Sequence, residues 1–157
     1  MQAYDEWASS PEERLKSFKH WPFKQGPCSP DKMAEAGFYA IGKKSEPDLA
    51  KCYVCFKELD GWERDDDPWL EHEKHAAQCP FVLLKKKPSE LTAKEILTLE
   101  VERSKKFMVL QYDIKFKLLQ DLKESVLEEL EKTGKGGKEN RKRKTSRATA
   151  KRPSRKD

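Results

Sequence analysis

The stretch Lys51-Cys52-Tyr53-Val54-Cys55, together with His72 and Cys79, decides the fold of this chain. A Cys-x-x-Cys pair can direct two thiolates at one metal ion, and a later His and Cys complete a tetrahedron. Three thiolates and one imidazole form a closed zinc set that leaves no position for a catalytic water. The sequence therefore predicts one structural Zn²⁺ bound by Cys52, Cys55, His72 and Cys79.

The main alternative for the Cys-x-x-Cys pair is a redox motif. No thioredoxin-like βαβ pattern surrounds it, so the metal interpretation is favoured. Cys28, the fourth cysteine, is interpreted as an ordinary buried or free thiol. No nucleophile–base pair is apparent either, and the chain is predicted not to be an enzyme.

Composition predicts one domain with an extension. The chain has 157 residues, of which 36% are hydrophobic and 39% charged, so it is too polar to be packed throughout. Residues 1–133 carry a net charge of −4 and residues 134–157 carry +9. This asymmetry argues against a uniformly basic nucleic-acid-binding domain. No apolar run reaches the roughly 20 residues of a membrane span, and residues 1–6 lack a secretory signal pattern.

The predicted organisation has five parts. Residues 1–9 form an N-terminal segment and 10–84 the zinc domain. A linker at 85–90 leads to a long helix at 91–132, which contains no Pro or Gly. The tail at 133–157 has no aromatic or large aliphatic residue and is expected to be disordered, because it cannot bury enough surface to offset its chain entropy.

Short elements are predicted inside the zinc domain. Ser10-Pro11, Ser29-Pro30 and Asp67-Pro68 are typical helix starts, with Gly37 ending the second helix. Aromatic and β-branched runs at 38–41, 51–54 and 56–59 predict a small antiparallel sheet. The expected fold class is α+β: a three-stranded sheet with short helices, followed by one long helix.

The long helix begins with a capping box, Leu91-Thr92-x-x-Glu95-Ile96. Apolar residues follow at spacings of three or four, which places them on one face. An exposed apolar stripe of this length implies partner helices, although intramolecular packing and a self-dimer remain open. The predicted stripe consists of Phe107, Leu110, Ile114, Leu118, Leu122, Val126 and Leu130.

The order of several motifs resembles a baculoviral inhibitor-of-apoptosis repeat, or BIR. The matching runs are Arg14-Leu15-Lys16-Ser17-Phe18, Met33-Ala34-Glu35-Ala36-Gly37-Phe38-Tyr39, the Cys-x-x-Cys pair, Gly61-Trp62-Glu63, Asp66-Asp67-Pro68, Glu71-His72 and Cys79-Pro80-Phe81. The resemblance implies the zinc-bound fold and a groove for extended peptides that begin with a free Ala. A single BIR followed by a long helix is similar to family members of the chromosomal passenger complex.

The resemblance also implies roles in the groove. Asp66 is expected to contact the peptide ammonium, and Asp60 and Glu46 a basic second residue. Leu59 and Trp62 form the apolar wall. Lys57 and His75 are expected to hold a phosphothreonine, as in the phosphorylated tail of histone three. The simpler alternatives are an exposed surface position for His75, a solvated turn for the Asp run, and a helix cap for Asp67, which is favoured for that residue.

The partners implied by the resemblance are borealin, the inner centromere protein and Aurora B kinase in one complex, with no membrane. The alternative function is inhibition of apoptosis through caspases or Ala-initial antagonist peptides. A homodimer is expected in the free chain, through Trp7, Leu91, Ile96 and Leu97. The expected location is the nucleus, centromere and mitotic spindle, and also the cytoplasm.

The basic run Arg141–Lys144 predicts a nuclear-import signal or a chromatin tether that attracts DNA nonspecifically. A solubilising tail is the alternative. Phosphorylation is expected at Ser29, which precedes a proline, and at Thr145 and Ser146, which follow basic residues.

Overall fold

The computed structural model describes the backbone of residues 5–148 and the side chains of residues 5–133. Five α-helices are present in this part: α1 (Pro11–Ser17), α2 (Pro30–Glu35), α3 (Pro68–His75), α4 (Pro80–Leu84) and α5 (Ala93–Ala148). Short 3₁₀ helices cover Glu6–Ser9 and Pro88–Glu90. Among the described residues, none of the helices combines the length and apolar character needed to cross a bilayer.

The predicted three-stranded antiparallel sheet is confirmed. Its strands are β1 (Phe38–Ala40), β2 (Ala50–Cys52) and β3 (Glu58–Leu59), in the order β1-β2-β3. Phe38 pairs with Cys52 and Lys51 pairs with Glu58. The second strand is shorter than predicted because the chain turns directly after Cys52, where the Phe56 N–H donates to the Cys52 carbonyl at 3.1 Å. The Cys-x-x-Cys pair therefore sits at the end of a buried strand.

The helix starts follow the predicted capping chemistry at two of three places. Ser10 Oγ accepts from the Glu13 N–H at 3.3 Å. Asp67 Oδ1 accepts from the N–H groups of Trp69 and Leu70 at 2.8 and 3.3 Å, which confirms Asp67 as a cap. Ser29 precedes α2 but makes no side-chain cap bond. Helix α4, which begins at the proline after Cys79, was not predicted.

Aromatic side chains fill the core behind the sheet. The Phe38 ring lies 5.2 Å from Trp62, and the Trp62 ring 6.2 Å from Trp21, both edge to face. Arg14 is also buried, where it donates to the Ala34 carbonyl and stacks over Tyr53 at 4.3 Å. Burial of this cation is tolerated because backbone carbonyls satisfy its donors.

The chain forms two compact units that divide after Gln111. Within the first unit, α5 buries Leu99 and Arg103, and the Phe107 ring lies 6.0 Å from Phe56. Phe107 was predicted to face a partner helix, and in the free chain its ring also packs against Phe56 of the zinc domain, which leaves it half-buried. This contact arises because the first turns of α5 have a domain surface to pack on.

The end of α5 differs from the predicted boundary at 132. The backbone stays helical to Ala148, although this segment contains Gly134, Gly136 and Gly137, which are poor helix formers. The side chains of 134–148 and all of 149–157 lie outside the described part, so the disorder predicted for the tail stays a prediction for 149–157.

Candidate functional site

The four predicted metal ligands come together from three parts of the fold. Cys52 ends β2 and Cys55 follows in the turn, while His72 lies on α3 and Cys79 immediately precedes α4. Their ligand atoms all lie within 4.8 Å of one another. The Cys52 and Cys79 sulfurs are 4.0 Å apart, and Cys55 Sγ lies 3.5 Å from His72 Nε2.

These distances fit a tetrahedral zinc site. With Zn–S bonds of about 2.3 Å, sulfurs at the corners of a tetrahedron are about 3.8 Å apart. His72 Nδ1 lies 3.0 Å from the Ala36 carbonyl, which fixes the ring so that Nε2 faces the sulfurs. Burial raises the pKa of the Cys52 thiol, and hydrogen bonds from Cys52 and Cys55 lower that of Cys79, so the sulfurs are close enough to share protons in the absence of a metal. The donor set can therefore hold Zn²⁺.

A small pocket of about 50 Å³ opens beside β3 and α3. It brings together five of the seven predicted peptide-binding residues, and two further residues complete it. The predicted residues are Leu59, Asp60, Trp62, Asp66 and His75; the additional ones are Gly61 and Glu71.

The pocket walls carry both charge signs. Asp60, Asp66 and Glu71 supply carboxylates, and His75 supplies the imidazole. Asp66 Oδ2 is fixed by the Glu63 N–H at 2.7 Å. The His75 Nε2 lies 3.2 Å from Glu71 Oε2, an i,i+4 pair on α3. The pocket thus places three carboxylates beside one imidazole.

Sequence reasoning missed Glu71 as a pocket residue. The available signal was its spacing, since a residue four before His75 shares the same helix face. Glu71 also pairs with Lys74 at 3.2 Å, so its carboxylate is shared between two cationic partners.

Two predicted groove residues lie elsewhere. Glu46 is exposed, and its N–H donates to the Lys43 carbonyl in a turn. Lys57 is exposed and lines a separate groove beside the start of α5. Neither residue lines the small pocket. Any peptide contact that Glu46 or Lys57 makes would therefore lie beyond the N-terminal residue that the pocket is proposed to hold.

The predicted dimer residues differ in exposure. Trp7 is 42% exposed and stacks edge-on against Tyr39, while Leu91 is half-buried against the core. Ile96 and Leu97 are 46% and 68% exposed. These last two side chains leave apolar surface at the start of α5.

The predicted stripe on the second unit is exposed throughout. Ile114, Leu118, Leu122, Val126 and Leu130 are each at least 46% exposed, whereas Phe107 and Leu110 in the first unit are half-buried. Of the predicted phosphorylation sites, Ser29 is half-buried. The side chains of Thr145 and Ser146 lie outside the described part.

Comparison with known proteins identifies relatives of this chain. The family model of the BIR, the Inhibitor of Apoptosis domain, matches residues 14–83. The chain is 53% identical over 95 residues to Baculoviral IAP repeat-containing protein 5 of Cavia porcellus, covering 60% of this chain and 67% of the relative. It is 43% identical over 119 residues to the protein of the same name from Rattus norvegicus, covering 75% and 84%. Protein 5.2-A of Xenopus laevis is 43% identical over 120 residues, covering 76% of each chain.

Proposed function

The chain belongs to the inhibitor-of-apoptosis family of BIR proteins, and on this premise we propose that it is a non-enzymatic adaptor of the chromosomal passenger complex. Its BIR would read the N-terminal tail of histone three when a threonine of that tail is phosphorylated. One Zn²⁺, bound by Cys52, Cys55, His72 and Cys79, would stabilise the BIR. The complex would place Aurora B kinase at centromeres and the spindle midzone.

The main support for this proposal is the small pocket beside β3 and α3. Its Asp60, Asp66 and Glu71 carboxylates are suited to an α-ammonium, because charge-assisted hydrogen bonds are stronger than neutral ones. A volume of about 50 Å³ accommodates a methyl group beside the Leu59 and Trp62 walls. A peptide that begins with Ala fits both properties.

The His75–Glu71 pair suggests how a phosphate is recognised. In the free chain the imidazole faces the Glu71 carboxylate at 3.2 Å. A bound ammonium would take over that carboxylate, and the imidazole could then hold a phosphate carrying about −1.5 to −2 charges. Recognition of the peptide N-terminus and recognition of its phosphothreonine would therefore be coupled through one side-chain pair.

The exposed stripe on α5 supports the adaptor half of the proposal. Leu118 and Leu122 are 66% and 59% exposed, and an apolar helix face of this kind is stabilised by partner helices. We propose borealin and the inner centromere protein as those partners. Nucleus, centromere and spindle, with a cytoplasmic fraction, are the proposed locations, and a homodimer is proposed for the free chain.

A second candidate function is inhibition of apoptosis, because the same pocket chemistry suits any Ala-initial peptide, including those that antagonise caspase inhibition. Family membership supports this candidate. It requires an ammonium site but no phosphate contact, so the phosphate dependence of binding separates the two functions.

Calorimetric titration of the full chain with two peptides tests the pocket assignment. A histone three tail peptide with a free N-terminus is expected to bind, and the same peptide with an acetylated N-terminus is expected not to bind measurably. Equal affinity for the two would refute the assignment of the pocket to an α-ammonium.

A further inference from the structure

A second groove lies between the Cys-x-x-Cys turn and residues 102–110 of α5, within the first compact unit. Its volume is about 620 Å³. The turn contributes Val54, Cys55, Phe56 and Lys57, and α5 contributes Glu102, Lys105, Lys106, Val109 and Leu110. We call this surface the knuckle groove.

The α5 wall has the pattern of a helix-packing face. Glu102, the pair Lys105–Lys106 and the pair Val109–Leu110 follow one another at intervals of three or four residues, which places them on one side of the helix. Val109 is 52% exposed although it is apolar, and Phe56 forms apolar floor at 9% exposure. The groove therefore offers apolar surface between a helix and a turn.

The charges around the groove do not balance. Lys105 is paired with Glu102 at 2.7 Å. Lys57 and Lys106 are exposed and have no ion pair within the described side chains. Two uncompensated cations at the edges of an apolar groove favour an anionic occupant.

We propose that the knuckle groove docks an acidic amphipathic helix of a partner protein. The apolar face of that helix would pack on Val109 and Phe56, with its carboxylates beside Lys57 and Lys106. The basic tail of this chain, with its net charge of +9, would be repelled by the same lysines and does not suit the groove.

The groove is continuous with the start of the proposed partner-binding stripe. Leu110 lines the groove and is also the second residue of the stripe, and Phe107, the first, packs on Phe56. A partner helix at the start of the stripe would therefore also meet the zinc-bound turn. The inference rests on the proposed partner-binding role of α5 and adds a charge-selective contact from the BIR, distinct from the peptide pocket.

Two synthetic amphipathic helices provide the probes. Both have leucines on one face; one has glutamates along both edges and the other has lysines. With the full chain, the glutamate version is expected to bind more tightly, to weaken as salt rises, and to shift the amide NMR signals of Val54, Phe56, Ala76 and Val109. Equal affinity of the two probes, or shifts confined to other surfaces, would overturn the proposal.

Variants of α5 locate the contact. Lys106→Glu is expected to lower the affinity for the glutamate probe about fivefold, because it replaces one attractive surface ion pair with a repulsive pair. Lys94→Glu, an exposed lysine outside the groove, is the matched control and is expected to leave the affinity unchanged. If Lys106→Glu has no effect while Leu118→Asp abolishes probe binding, the knuckle groove is refuted and the stripe alone binds the helix. If neither variant matters, the partner-binding role of α5 fails as well.

Discussion

His75 Nε2 lies 3.2 Å from Oε2 of Glu71, one turn earlier on α3, and both side chains line the small pocket beside β3. The pair sets a carboxylate suited to a peptide ammonium directly against an imidazole suited to a phosphate. Because each group is the other's partner in the free chain, a peptide that engages both replaces one side-chain contact with two. Binding of the ammonium and of the phosphate should therefore be cooperative.

Replacing Glu71 tests the ammonium half of this pair. Glu71→Gln keeps the shape of the side chain but removes its charge, and is expected to weaken a free-amine histone tail peptide by about 1.5–3 kcal/mol, the range for hydrogen bonds to charged groups. Calorimetric titration measures the loss. Asp65→Asn is the matched control, since Asp65 is exposed and does not line the pocket. An unchanged affinity in Glu71→Gln would remove Glu71 from the site.

The zinc centre is expected to control folding of the BIR. Structural zinc supplies about 10–16 kcal/mol of apparent binding free energy in small domains, more than a core of this size provides. A strong chelator should therefore abolish the near-UV circular dichroism of the buried tryptophans. Cys79→Ser should behave like the chelated protein.

The control for the zinc prediction is Cys28→Ala. Cys28 is buried near Met33, and burial raises the pKa of its thiol to about 12, so it is an inert thiol outside the ligand set. This variant should retain one Zn²⁺ per chain by elemental analysis. A native spectrum after complete zinc removal would contradict the structural role.

The junction before α5 should respond to acid. The pKa of Glu95 is lowered from 4.5 to about 2. The largest cause is a hydrogen bond from Lys86, and the Thr92 N–H and hydroxyl donate the next largest ones. A lowered carboxyl pKa means that the stabilisation is complete above pH 4.5 and is lost as the pH falls towards 2. Hydrogen exchange of the Thr92 amide should therefore become faster over that window, after correction for intrinsic exchange.

Glu95→Gln provides the comparison for this acid response. The variant cannot ionise, so Thr92 protection should be lower at neutral pH and should not change between pH 4.5 and 2. An identical pH profile in both proteins would show that another group controls the junction.

The stripe on α5 can be tested without disturbing the fold. Leu118→Asp and Leu122→Asp lie on exposed positions, so each variant should keep the melting temperature of the parent chain. Both should lose co-purification with borealin and the inner centromere protein after co-expression. Gln120→Asp adds the same charge at an exposed position off the stripe, and should retain both partners. Retention by Leu118→Asp would refute the partner-binding stripe.

The metal centre and most of the helix caps, Ser29 excepted, could be predicted from the sequence because their chemistry depends on residue type and short spacing. Three cysteines and one histidine at zinc spacing leave few alternatives, and the Thr92–Glu95 capping box forms as expected, with Glu95 Oε2 accepting from the Thr92 N–H at 2.8 Å. These features depend on residue type and short spacing more than on the tertiary fold.

The pocket required the tertiary structure. Five of its residues follow from the family resemblance, but the inclusion of Glu71 and the absence of Lys57 depend on how α3 docks against β3. Likewise, Phe107 fits the exposed stripe by spacing, and only the fold shows that Phe56 partly covers it. Helix periodicity identifies a face but does not say which part of it another element of the same chain occupies.

The small pocket is proposed to bind the phosphorylated tail of histone three. This binding is tested most directly by titrating the chain with Ala-Arg-Thr tail peptides, with and without phosphate on the threonine, against the parent protein and His75→Ala. The parent should bind the phosphorylated peptide about tenfold more tightly, as expected for a charge-assisted contact worth about 1.4 kcal/mol, and His75→Ala should bind both peptides equally. Undiminished discrimination by His75→Ala, or no discrimination by the parent protein, would contradict this proposal.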